Sequence, residues 1–136
     1  VSLHRTDEWY VGFVPAPNRG LWRIARGRFA HCMAFRPCSG GWLLVEHNVW
    51  GLTCCVLGDS VAVNLARLCV ERGALLRVPA RRRDFRWLPP PLLSCVTVVL
   101  ALVGVRAWVL TPRQLHGALL RRGALVVSGL NEDQPP

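Results

Sequence analysis

Residues 28–49 read RFAHCMAFRPCSGGWLLVEHNV. Two runs of strand-forming residues, Arg28 to Pro37 and Trp42 to Val49, flank Cys38-Ser39-Gly40-Gly41. A glycine-bearing break between two such runs predicts a β-hairpin, because glycine supplies the backbone angles that a tight turn needs. Register then follows from loop length. An even loop makes facing residues sum to 79, which sets His31 opposite Asn48 with Glu46 diagonal to it; an odd loop sets His47 opposite His31.

Working outward, Gly51 to Leu57 is rich in Thr, Cys and Val and predicts a third strand. Asp59 or Ser60 then caps a helix that runs to Arg72 and stops at Gly73. Val61, Leu65, Leu68 and Cys69 fall at helical spacing and would form its buried stripe. Leu75 to Pro79 predicts a short strand, and residues 80–91, Arg-rich and then Pro-Pro-Pro, a connector. Ser94 reads as the N-cap of a central helix, apolar on every side from Val96 to Val105 and therefore enclosed. Trp108 to Leu110 suggests another short strand. Thr111-Pro112 opens a last helix that ends near Arg122, before Gly123. The first thirty residues read as loops around one or two short strands, and 131–136 as a frayed tail. The expected fold class is α+β: one domain over 1–130, a small antiparallel sheet with a buried central helix.

Bulk properties narrow the class. A chain of 136 residues that is 51% hydrophobic has room for one core and needs no metal or disulfide to fold. Its formal charge is +9, and every one of the 17 basic residues is Arg. An Arg-only, Ala/Gly/Pro/Val/Leu-rich composition is what a GC-rich genome produces, and Val1 suits a literally translated GTG start. The dense basic run is Arg81-Arg82-Arg83 with Arg86, which reads first as a solvated loop and second as a patch contacting the phosphates of nucleic acid. The longest apolar run, Leu92 to Val105, falls short of the roughly 20 residues of a membrane span. Six cysteines without a C-x-x-C pair resemble neither a disulfide framework nor a zinc ribbon. No cofactor or metal is expected: a zinc site from His31, Cys32, Cys38 and His47 is disfavoured because His31 and Cys32 alternate across a strand.

One cysteine stands apart. Cys95 follows the Ser94 cap and so lies in the first turn of the central helix, where orphan N–H groups and the macrodipole favour a thiolate. Of the four histidines, His4 is near a terminus, His116 is inside the last helix, and His31 and His47 are on the hairpin. His31 is the candidate base for Cys95. Glu46, Asn48 or His47 would orient its ring, as the third member of a triad does.

The order of parts, a histidine on an early strand, a polar residue on the next and a cysteine opening a buried helix, resembles the circularly permuted papain-like hydrolases related to the NlpC/P60 and lecithin:retinol acyltransferase groups. RFAHCMAFRPCSGGWLLVEH and LLSCVTVVLALVGVRAWVLTPRQLHGALLRRGA look like small proteins of bacteriophages and prophages from GC-rich bacteria, over about residues 28–124. The resemblance implies Cys95 as nucleophile, His31 as base and Glu46 (or Asn48) as the orienting residue. It implies a peptidase or amidase acting on peptidoglycan peptides, located in a phage tail or neck or in the bacterial cytoplasm. The alternative it implies is a non-catalytic tail, neck or baseplate component that binds other virion proteins. Six tryptophans, Trp9, Trp22, Trp42, Trp50, Trp87 and Trp108, suit burial against partners and an ordinary core alike.

Overall fold

The computed structural model describes residues 8–15, 28–79 and 94–128. These form an α+β fold: a six-stranded antiparallel sheet with three helices. The strands are β1 (Glu8–Pro15), β2 (Phe29–Cys38), β3 (Gly41–Asn48), β4 (Gly51–Leu57), β5 (Ala74–Pro79) and β6 (Leu125–Val126). The helices are α1 (Asp59–Arg72), α2 (Cys95–Leu102) and α3 (Pro112–Arg121). The sheet order is β4-β3-β2-β1-β5-β6.

The hairpin forms as its turn signal dictates. Cys38 pairs with Gly41 across Ser39-Gly40, and the ladder continues to Met33 opposite Glu46, so facing numbers sum to 79 and the even-loop register holds. Alternation along the strands divides the core in two. Trp9, Val11, Phe13, Cys32, Ala34, Val45, Leu76 and Val78 face α2 and α3. Tyr10, Met33, Phe35, Trp42, Leu44 and Leu75 pack with Ala62, Ala66 and Cys69 of α1.

The three helices depart from expectation in instructive ways. The residue before α1 is Gly58, with no side-chain cap bond, so Asp59 lies inside the first turn. The buried stripe of α1 is Ala62, Ala66 and Cys69, whereas the expected Val61 and Leu68 are exposed and Leu65 is half-buried. Small side chains win because the helix lies close to the sheet: a Cβ on Gly12 would sit 2.7 Å from the Cys69 Sγ. Helix α2 ends at Leu102, not Val105, because Gly104 turns left-handed (φ 66°) and the Val105 N–H bonds back to Leu100 O.

Residues Trp108 to Leu110 form no strand. The Leu110 N–H is taken instead by the Gln114 side-chain oxygen at 2.8 Å, as part of the cap that opens α3. Strand β6, unannounced in the sequence, pairs with β5 and adds an edge. The connector 80–91, the tail 131–136, His4, and Arg81, Arg82, Arg83 and Arg86 lie outside the described residues. No helix is long and apolar enough to cross a membrane among the described residues.

Candidate active site

The site is assembled where two strands part. Strands β2 and β3 remain paired only as far as Met33–Glu46. Beyond that point β3 continues with β4 to Asn48–Gly51, while β2 continues with β1 to Phe29–Pro15. At the same place the β1–β2 register shifts: Val14 faces His31, yet Pro15 faces Phe29, so Ala30 is an extra residue on β2. A bulge of this kind breaks the pleat and re-aims the neighbouring side chains. His31 and Glu46 flank the parting, both partly exposed, and the His31 Nε2 lies 3.2 Å from the Glu46 Oε2.

Cys95 arrives from α2. Its position is fixed by a reciprocal cap: the Ser94 Oγ accepts from the Thr97 N–H, and the Thr97 Oγ1 accepts from the Ser94 N–H. Cys95 is thus the first helical residue, packed against the core cluster that contains Cys32. Its own N–H is one of the first-turn donors that a helix leaves without an internal acceptor. The thiol lies within interaction range of the Cys32 thiol and backbone N–H and of the His31 ring, the groups that lower it. With Glu46 on Nε2, Nδ1 is the ring nitrogen left for the sulfur.

Charge follows from these contacts. The Cys95 thiol is lowered to about 4, chiefly by the Cys32 hydrogen bond and then by His31; burial opposes the shift. His31 is raised above its usual 6.5, first by its hydrogen bond to Cys95, with the Cys95 charge and Glu46 adding to it against burial. Cys32, donating to Cys95 and fully buried, is pushed far up and keeps its proton. Both shifts favour the same state, a Cys95 thiolate beside a protonated His31 ring that Glu46 engages.

The alternatives for the orienting residue are occupied elsewhere. The Asn48 Oδ1 accepts the Trp50 N–H at 2.9 Å within the β3–β4 turn. His47 faces Leu52 across the β3–β4 ladder. His116 sits on α3 with its ring 5.1 Å from Phe13 and 5.2 Å from Phe29, a packing role.

Cys32 is the residue that sequence reasoning set aside. Alternation places it on the face opposite His31, buried in the cluster against which Cys95 packs, and both residues nevertheless act on the Cys95 thiol. Its adjacency to His31 was the available signal. All six cysteines are free: Cys32 and Cys69 are buried, Cys38, Cys54 and Cys55 are exposed rather than core residues, and Cys95 is half-buried. Among the described residues, no cluster of three or more His, Cys, Asp or Glu is placed to hold a metal ion. Comparison of the chain with known protein families, with curated proteins and with solved structures finds no match.

Proposed function

We propose that this protein is a thiol hydrolase in which Cys95 is the nucleophile, His31 the general acid and base, and Glu46 the residue that orients and charges the imidazole. The observation that carries this reading is the meeting, at the entrance of α2, of Cys95 with a His31 ring that Glu46 engages at 3.2 Å. Thiolate formation is favoured there by donors, by an imidazolium and by the helix N-terminus together. Chain order, with His31 and Glu46 ahead of Cys95, supports the permuted papain-like architecture that the sequence resembles.

In the reaction, the Cys95 thiolate attacks the carbonyl carbon of an amide or ester. The Cys95 N–H lies where it can donate to the oxyanion that develops. His31 gives its proton to the departing amine or alcohol, leaving a thioester. Water then attacks that thioester while His31 takes its proton, and Cys95 leaves as thiolate. Glu46 keeps one ring nitrogen engaged, so that the other stays aimed at sulfur through both transfers.

The test is acyl transfer by the folded protein to an activated ester, followed by cleavage of peptidoglycan peptides. A burst of released alcohol equal to the protein concentration, lost in Cys95→Ala, is the expected result. Absence of a burst in the reduced wild-type chain would sink the reading. A second reading, a non-catalytic virion component, is favoured by a separate feature. Trp50 is 93% exposed and Trp108 fully so, with Leu52, Val56 and Leu110 also open, apolar surface of the kind that partners cover. Absence from purified particles would exclude it.

A further inference from the structure

Cys95 meets a second sulfur as well as an imidazole, and that contact permits chemistry that hydrolysis does not use. We propose that Cys95 and Cys32 form a peroxide-reducing dithiol, in which Cys95 attacks a hydroperoxide and Cys32 resolves the product to a disulfide. The inference shares the Cys95 thiolate with the hydrolase reading but needs no acyl transfer.

Four observations carry it. The two thiols adjoin, one on β2 and one on α2, with Cys95 packed against the cluster that holds Cys32 and each shifting the other's ionisation. Both are free. Their exposures set the order of events: half-buried Cys95 can meet a peroxide from solvent, while Cys32 is fully buried beneath it. The other thiols are elsewhere: Cys69 lies on α1 in the other core cluster, Cys38 ends β2 at the hairpin turn, and Cys54 and Cys55 lie on the edge strand β4. Cys32 is therefore the sulfur placed to capture an oxidised Cys95.

The chemistry balances. The Cys95 sulfur attacks one peroxide oxygen, the O–O bond breaks, and the departing oxygen takes a proton to leave as water or an alcohol. Cys95 becomes a sulfenic acid. The Cys32 sulfur then attacks the Cys95 sulfur, the S–O bond breaks, and the hydroxyl leaves as water with the Cys32 proton. Two thiols have been oxidised and one peroxide reduced. The product has no free thiolate at Cys95, so peroxide also silences acyl transfer until a dithiol reductant restores it.

The experiment treats the reduced full chain with one equivalent of hydrogen peroxide, quenches in acid, alkylates under denaturing conditions and maps the peptides by mass. The expected product is a Cys32–Cys95 linked peptide, reversed by dithiothreitol, with the other four cysteines alkylated. Cys32→Ala should instead trap a dimedone adduct on Cys95. If that variant does not fold, the wild-type map alone decides. Wild-type protein that accumulates Cys95 sulfenic or sulfinic acid while Cys32 remains alkylatable, or in which Cys95 stays reduced, overturns the inference. The ester burst, measured on the same reduced sample, separates the two ideas. A burst without a disulfide leaves the hydrolase standing and removes the dithiol, and a disulfide without a burst does the reverse.

Discussion

Two helices of this protein each press a cysteine against the same sheet, from opposite faces, and the two thiols are driven in opposite directions. Cys69 lies in the last turn of α1, buried against Gly12 and Met33, and burial pushes its thiol up to about 11. Cys95 lies in the first turn of α2 and is lowered to about 4, first by Cys32 and then by His31, despite partial burial. Desolvation acts on both. The outcome is decided by what surrounds the sulfur: two hydrogen-bond donors and a cation on one side, packed apolar groups on the other. Helix polarity points the same way, since an N-terminus stabilises an anion and a C-terminus does not.

The largest expected effect is therefore in thiol reactivity. At pH 6 an ordinary thiol of pKa about 8.5 is only ~0.3% thiolate. Cys95 should be alkylated at least ~100-fold faster than Cys69 in the folded protein, as read by peptide mass spectrometry. The pH dependence has a definite sign. A lowered thiol keeps its charge above about 4, so the Cys95 rate should fall only as pH drops through that value. His31, being raised, holds its proton beyond 6.5, and steps that need imidazolium should fade as pH climbs past it. His31→Ala should slow Cys95 at pH 6 and move its onset upward. Equal alkylation of Cys95 and Cys69 would erase the contrast altogether.

A smaller but still measurable effect concerns packing around Cys69. A methyl group at Gly12 would lie 2.7 Å from the Cys69 Sγ, with the Met33 Cγ at 3.4 Å. Gly12→Ala should destabilise the fold by about 1–3 kcal/mol, the usual cost of overfilling a core. Adding Cys69→Ala removes the offending sulfur and leaves the nearest atom of that residue, its Cβ, at 3.7 Å. The double variant should recover much of the loss in a urea midpoint, while Cys95 reactivity stays unchanged. Failure of the second substitution to compensate would mean that Cys69 is not what limits the space over Gly12.

How far these contrasts can be read from sequence differs between the two sides. The hairpin was legible because Cys38-Ser39-Gly40-Gly41 is a local signal, but its register was not: loop parity left Glu46 or His47 near His31 until the Cys38–Gly41 pairing fixed the even loop. The start of α2 was legible for the same reason, since Ser94 caps within three residues of itself. The buried face of α1 was not. Hydropathy favours Val61 and Leu68, but the sheet accepts Ala62, Ala66 and Cys69 because Gly12 lets the helix approach. That preference is set by a residue some fifty positions away. Cys32 was missed because the docking of α2 on the sheet, a tertiary event that alternation along β2 does not show, decides which sulfur neighbours Cys95.

The last and smallest effect tests whether Glu46 belongs to the reactive side of the comparison or only borders it. Glu46→Gln keeps a side chain able to hydrogen-bond Nε2 but removes the negative charge 3.2 Å from the ring. Both partners are about a quarter exposed, 26% and 24%, so solvent screens much of the attraction. A loss of about 1 kcal/mol, or roughly fivefold in acyl-transfer rate, is expected at such a pair. The fall in His31 basicity is the more specific readout. Glu46 and Cys95 both raise the His31 pKa, Cys95 the more strongly. The imidazole of Glu46→Gln, followed by NMR titration, should therefore lose its proton at lower pH than wild type, but remain higher than in Cys95→Ala. A reversed order, with Glu46→Gln the larger shift, would make the carboxylate rather than the thiolate the main partner of His31. The reactive side would then be a histidine–glutamate pair with a cysteine beside it.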